Sequence, residues 1–287
     1  MFLHRSRALL TGVLLGKAAL ARARSALLGH HVAALLVESR QGRFLVPTDD
    51  LEVAGRLAFS GSYETDAVAL YEKLFRPTDN ILVVGAHVGS LVIPLANVAA
   101  RVVAVEANPR IFELLRLNVT LNGVTNVELH CLAALDRSGA VEFLDSRINS
   151  GGGKVRPLRR RFEFVYDRPR SVSVAAGRLD DVLPAAEPFD VVLLDIEGAE
   201  YAAMLGMPRI LSQARVMVCE LIPNHLDNVS GVTFEKFTEA IPPHFTEFAL
   251  LAEPDMRVSR DELPALYQRA VTTGYYGGTD LLCLTSA

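Results

Sequence analysis

Ile81-Leu82-Val83-Val84-Gly85-Ala86-His87-Val88-Gly89, followed by Val102-Val103-Ala104-Val105-Glu106, decides the fold. Each apolar run is short, continuous and rich in β-branched residues, and each is closed by a glycine or an acid. A strand with one face in water would alternate apolar and polar residues, whereas a strand covered on both faces reads as these do. Working outward, Val191–Leu194 before Asp195 and Val216–Cys219 before Glu220 repeat the form. Val127–Cys131, Glu247–Leu251 and Leu281–Leu284 complete the strand segments. Helical stretches such as Ile111–Leu121 and Glu200–Leu211 lie between them. Asn108-Pro109 introduces the first, an N-cap followed by a residue suited to the first helical position. Alternation of this kind predicts an α/β domain with a mostly parallel sheet and helices on both faces.

In an open parallel sheet, ligands bind beyond the carboxyl ends of the strands, where the strand order reverses. Gly85, Glu106, Asp195 and Glu220 form such a row of strand ends. Gly85 and Gly89 are expected to let the backbone turn sharply and a ligand approach closely. The free amides of the following helix favour an anionic group. His87 and Ser90 stand at the second and third glycine positions of the dinucleotide pattern G-x-G-x-x-G, which disfavours a nicotinamide cofactor. Glu106 ends the next strand, where an acid accepts hydrogen bonds from both ribose hydroxyls of a nucleoside cofactor.

Three further stretches make the pattern more specific: Val105-Glu106-Ala107-Asn108-Pro109, the helix segment Asn118 to Asn122, and Leu194-Asp195-Ile196-Glu197-Gly198-Ala199-Glu200. Together with Val83 to Gly89, Gly61-Ser62-Tyr63-Glu64 and Leu179-Asp180-Asp181, they resemble the FkbM family of S-adenosylmethionine-dependent methyltransferases over roughly residues 40 to 220. The resemblance implies a Rossmann-like class I methyltransferase fold with a seven-stranded sheet, and S-adenosyl-L-methionine as cofactor. It also implies O-methylation of a small-molecule hydroxyl, on a sugar, a polyketide or a glycolipid headgroup, as in secondary metabolism. Glu64, Gly85, Ala86, His87, Gly89, Glu106, Ala107, Asn108 and Asp195 are the cofactor-facing positions by this comparison. Three positions depart from the family pattern: Val83 stands where Asp is usual, His87 where Asn is usual, and Leu194 where Lys is frequent. His87 retains a ring nitrogen able to donate a hydrogen bond. Val83 keeps open a second reading, a nucleotide-binding or regulatory module without transfer activity.

An alcohol acceptor must lose its proton as it is methylated, which calls for a base. Asp195 leads on the acceptor side, with Glu197 beside it, and His225 in the loop after Val216–Cys219 is the histidine placed as a base near neutral pH. Glu200 reads as an acid at a helix start. Asp195 with Glu220 is an alternative cation site; no third ligand is evident, so no metal is expected.

The chain has 287 residues, half of them hydrophobic, and a formal net charge of −4. The charge argues against a dedicated nucleic-acid binder. So does the absence at Asp195–Gly198 of the Asn/Asp-Pro-Pro-Tyr found in base-directed enzymes. A small, anionic or neutral acceptor and no nucleic acid are therefore expected. Cys131, Cys219 and Cys283 are too dispersed for a zinc or disulfide framework.

Residues 1–31 carry Arg5, Arg7, Lys17, Arg22 and Arg24 and no acid. The apolar stretch Ala8–Gly16 is far short of the roughly 20 residues that span a bilayer. A helix capping the domain, a helix lying on an anionic membrane surface and a cleaved leader all remain open, within a cytoplasmic protein. We expect a basic helix, hairpin and capping helix over residues 1–75, and one compact domain over 76–287. The run from Arg147 to Arg170, with Gly151-Gly152-Gly153 and seven basic residues from Lys154 onward, reads either as a solvated mobile loop or as a flap that attracts an anionic substrate.

Overall fold

A computed structural model describes residues 2–29, 31–63, 65–273 and 279–286. The strands are β1 (Ala34–Ser39), β2 (Gly42–Pro47), β3 (Asn80–Val84), β4 (Arg101–Glu106), β5 (Val127–Cys131), β6 (Ala133–Ala134), β7 (Gly139–Asp145), β8 (Lys154–Val155), β9 (Arg170–Gly177), β10 (Val191–Leu194), β11 (Val216–Leu221), β12 (Phe245–Leu250) and β13 (Thr279–Thr285). Seven of them form the main sheet in the order β12-β13-β11-β10-β3-β4-β5, with only β13 running against its neighbours. The order reverses between β3 and β10, and this is the switch point at which a ligand site is expected. The continuous apolar runs have the reason read from them. Leu82, Val84, Val103, Val105, Val192 and Leu194 enter one core, and Ile81, Val83, Val102, Ala104, Val191 and Leu193 enter the other. Period-two alternation thus packs both faces of every central strand.

Helix Pro109–Leu121 starts as expected, with Asn108 accepting the Arg110 amide and Pro109 in the first position. The expected helix over 200–211 is two, Glu200–Leu205 and Pro208–Gln213, because Pro208 can begin a helix but not continue one. A helix over Val53–Ser60 has no counterpart in the sequence reading. Neither has a four-stranded sheet, β6-β9-β7-β8, that covers the C-terminal ends of the main strands. Its strands are half-buried and small-residued, as in Arg170–Gly177, so they lack the continuous apolar signal.

The β1–β2 hairpin joins the domain through two asparagines. Asn118 accepts the Leu45 amide (2.7 Å) and donates to the carbonyls of Leu45 and Val88. Asn122 accepts the Arg43 amide (2.9 Å) and donates to the Arg43 carbonyl. One turn apart on a helix, they serve the free edge of β2 as a neighbouring strand would. Phe44, Val46, Val53 and Leu57 pack with Val88, Ile93 and Ile111, so residues on both sides of position 75 share one core. Helix Phe2–Leu28 lays Ala18 and Ala21 against Ile148, with Lys17 paired to Glu52. No helix among the described residues is long and apolar enough to cross a membrane.

The basic run 147–170 is held to the domain along its backbone while Arg156, Arg159, Arg160, Arg168 and Arg170 are exposed. Its backbone is tied to the domain by Leu158 N to Val229 O (3.2 Å), Arg159 N to Asn228 O (2.9 Å) and Arg156 N to Glu142 O (2.9 Å). Asp167 accepts the Arg147 amide (2.7 Å) and the Ser146 hydroxyl (2.8 Å), closing the run on itself.

Candidate active site

A first cavity opens at the switch point, beyond the ends of β3, β4 and β10. Gly85, Ala86, His87, Glu106, Ala107 and Asp195 are among its lining residues, with Glu220 at its inner end. Gly85 has φ +94° and its carbon lies under the Asp195 carbonyl, so a Cβ would stand 1.7 Å from that oxygen. The missing Cβ therefore makes way for a neighbouring backbone, while the residue itself lines the cavity. Gly89, with φ +90°, faces the Leu115 side chain and also makes no room for a ligand.

Glu106 is 8% exposed and accepts the amides of His87 (2.9 Å) and Asn108 (2.7 Å). These bonds fix the carboxylate while leaving acceptor capacity toward the cavity. Burial pushes its pKa up to about 7. Asn108 does not line the cavity; its amide donates to Asp145 (2.7 Å), which Arg110 also holds. It supports Glu106 rather than facing a ligand.

Among the described residues, His87 is one of three non-glycine residues with positive φ (+49°), a region His tolerates better than most, as Asn does. Its Nε2 bonds the Ser150 hydroxyl (2.7 Å), which in turn donates to Asp50. Burial, and then Arg110, hold His87 neutral with a pKa of about 3. Val83 lies in the core among Ala86, Tyr71 and Phe75, on the face away from the cavity. Glu64 lies outside the described residues.

A second cavity, of about 290 Å³, lies behind the segment Asn149–Lys154. Lys154, His225, Phe164 and Tyr166 line it, and Glu197 lines both cavities. Glu197 has φ +58°, a strained conformation that turns its carboxylate onto Lys154 Nζ (2.7 Å) and to 3.4 Å from His225 Nε2. Burial, the largest single influence, raises the Glu197 pKa, but Lys154 and the neighbouring histidines together outweigh it and the net shift is downward. Burial and then Lys154 lower His225 to about 3, so the ring is neutral near neutral pH and a weaker proton acceptor than its residue type suggests. Glu220 shifts well upward, through burial and then Asp195. Its Oε2 and His225 Nδ1, 3.6 Å apart, are both buried without a hydrogen-bond partner.

Ligating atoms of Glu197, Glu220 and His225 lie within 4.8 Å of one another, so a third candidate ligand does exist, and it is not the Asp195–Glu220 pair envisaged from sequence. Lys154 Nζ already stands beside two of the three. Asp195 lines the first cavity but not the second. Glu200 accepts the amides of Ile196 (3.0 Å) and Gly198 (3.1 Å), bracing the turn that carries Glu197. Lys154 went unassigned in the sequence, although it is the single lysine in an arginine-rich run just after three glycines.

Residues 84–249 match the methyltransferase FkbM domain. The chain belongs to the FkbM methyltransferase family. Its cofactor is S-adenosylmethionine. No curated protein sequence matches the chain. Similar solved structures include the M. jannaschii tRNA m1G37 methyltransferase (12% identity, 90% of this chain, 59% of that one, TM-score 0.45). The T. thermophilus 16S rRNA N2 G1207 methyltransferase, in complex with AdoMet and guanosine, is another (14%, 88%, 50%, TM-score 0.42). A third is a precorrin-6y C5,15-methyltransferase from Geobacter metallireducens (16%, 78%, 88%, TM-score 0.40). The chain spans 50% and 59% of the two RNA methyltransferases. Proteins that act on tRNA and rRNA are thus among those similar to it, and the exclusion of nucleic acid drawn from net charge does not stand. A negative chain can still concentrate basic groups on one rim, as residues 156–170 do.

The first cavity of this FkbM domain suits the cofactor. A buried carboxylate, Glu106, is preoriented by two amides and retains acceptor sites for a ribose. Because ribose hydroxyls donate best to the ionised form, S-adenosylhomocysteine affinity is expected to hold above about pH 8 and to weaken severalfold per unit below about pH 7. Calorimetry across pH checks this, and Glu106→Gln should bind more weakly with a flattened profile. A wild-type profile flat from about pH 6 to about pH 8 would remove Glu106 from cofactor binding.

Proposed function

We propose that the protein is an S-adenosylmethionine-dependent O-methyltransferase whose acceptor hydroxyl enters from the second cavity and meets the cofactor at Glu197. The observation that carries this reading is Glu197 itself, a strained, buried carboxylate on the wall common to both cavities and paired with Lys154. When bound, S-adenosylmethionine supplies an electrophilic methyl group. Glu197 accepts the hydrogen bond of the acceptor hydroxyl and takes its proton as negative charge builds on the oxygen. Lys154 faces that developing charge, in a site where water is largely excluded. His225 stays neutral and, with Glu220, positions the pair. Glu106 holds the ribose, and Asp195 lies on the cofactor side.

A hydroxyl on a small molecule, such as a sugar, a polyketide or a glycolipid headgroup, suits a cavity of about 290 Å³. Lys154 serves as the resident cation, so we take the reaction to need no metal. The test is binding and transfer on the purified chain. S-adenosylhomocysteine should bind, a panel of hydroxyl acceptors should include methylated products, and turnover should survive EDTA. Failure of the cofactor product to bind at millimolar concentration overturns the reading. Methylation only at nitrogen or carbon overturns its O-specific part, and loss of turnover with EDTA its metal-free part.

A further inference from the structure

The second cavity adjoins a third, of about 450 Å³, and Leu144, Phe164 and Pro169 are their common wall. Arg156, Arg160 and Arg168 line this third space, facing a single carboxylate, Glu142. Glu142 is already engaged, by Arg156 at 2.5 Å and by the Ser171 hydroxyl. Among the described residues no carboxylate lies within ion-pair reach of Arg160 or Arg168. Two guanidinium groups thus border a cavity with their charge uncompensated, in a chain whose net charge is −4.

The arrangement is built rather than incidental to a loose loop. Arg168 has φ +56°, uncommon for a side chain of its size, and its amide is held by the Val165 carbonyl (3.1 Å). Arg160 lies between Arg159, whose amide bonds Asn228 O, and Arg161, whose Nε bonds Asn228 Oδ1 (2.8 Å). Ordered backbone fixes where these guanidinium groups can reach, and their planar forks match phosphate and carboxylate oxygens.

We propose that this third cavity binds an anionic group, a phosphate or a carboxylate, carried by the same small acceptor whose hydroxyl is methylated at Glu197. The inference rests on the function proposed above for the neighbouring cavity, and it assigns the acceptor a class: a hydroxylated molecule with an acidic group beyond the reacting oxygen.

The test is calorimetry on the full chain with inorganic pyrophosphate as probe, in the presence of S-adenosylhomocysteine, which is also titrated separately. Pyrophosphate should bind, and Arg160→Ala and Arg168→Gly should each weaken it roughly tenfold, the loss of one charge-assisted contact. Arg116→Ala, on helix Pro109–Leu121, should change nothing, and all three variants should bind S-adenosylhomocysteine normally. If S-adenosylhomocysteine binds while pyrophosphate does not, or binds equally to both arginine variants, this inference fails and the methyltransferase reading stands. If S-adenosylhomocysteine itself does not bind, the methyltransferase reading fails first. A short single-stranded RNA that binds about a hundredfold more tightly than pyrophosphate, and loses affinity in the same two variants, would overturn the small acceptor in favour of a polynucleotide.

Discussion

Glu197→Gln is expected to lower turnover by about 10²- to 10⁴-fold, the usual cost of removing a general base. S-adenosylhomocysteine should still bind, because the ribose contact proposed above is Glu106 and not Glu197. The variant also leaves Lys154 buried without its counter-ion, and breaking a buried pair from one side costs on the order of 3–5 kcal/mol. A loss of activity could therefore reflect lost stability alone. Lys154→Met combined with Glu197→Gln separates the two effects, because replacing both charges by neutral groups of similar size restores much of the stability. The double variant should regain the wild-type melting temperature and remain inactive. Recovery of turnover along with stability would reduce Lys154 and Glu197 to a structural pair.

Gly85→Ala is expected to be the most destabilising single change in the site. A methyl group there would sit 1.7 Å from the Asp195 carbonyl oxygen, which belongs to the chain just past β10, the strand paired directly with β3. The obstacle is backbone, so no rotamer change relieves it, and φ +94° is itself unfavourable for alanine. Relief requires moving the ends of two central strands apart, so a loss above about 4 kcal/mol is expected, in the range that marks a specific structural defect. For a domain of this size that is roughly 10 °C or more in melting temperature. Gly89→Ala shares the positive φ but meets the end of the Leu115 side chain at 2.9 Å, which can yield, so its loss should be smaller. Equal melting temperatures for the two variants would contradict this account of the loop.

The main sheet was legible because burial on both faces leaves a signal nothing else imitates, a continuous β-branched run closed by a polar residue. The site was legible in outline for the same reason, since Gly85, Glu106, Asp195 and Glu220 fall where those runs stop. What the spacing could not convey was direction. Asn108 and Gly89 stand in the right motif yet serve the frame, one bracing Glu106 and the other packing under Leu115. His225 reads as a base by residue type, but its environment, above all burial, makes it a weaker one than that type suggests. The second sheet was missed because its two long strands are half-exposed and its other two are only two residues long, and with it Lys154, which only β8 brings to Glu197. Net charge misled about partners, because a sum over the whole chain hides where the arginines gather.

The reversed strand β13 has a consequence for how the molecule is made. It lies between β11 and β12, and β12 has no other partner in the main sheet. Residues 279–285 therefore have to leave the ribosome before residues 245–250 can be zipped into place. Until then β11 presents a bare edge and Phe245 and Phe248 have no finished core to enter. The nascent chain passes through a stage in which strands β3, β4, β5, β10 and β11 are assembled and the flank beyond β11 is open to chaperones and to pairing with other unfinished copies.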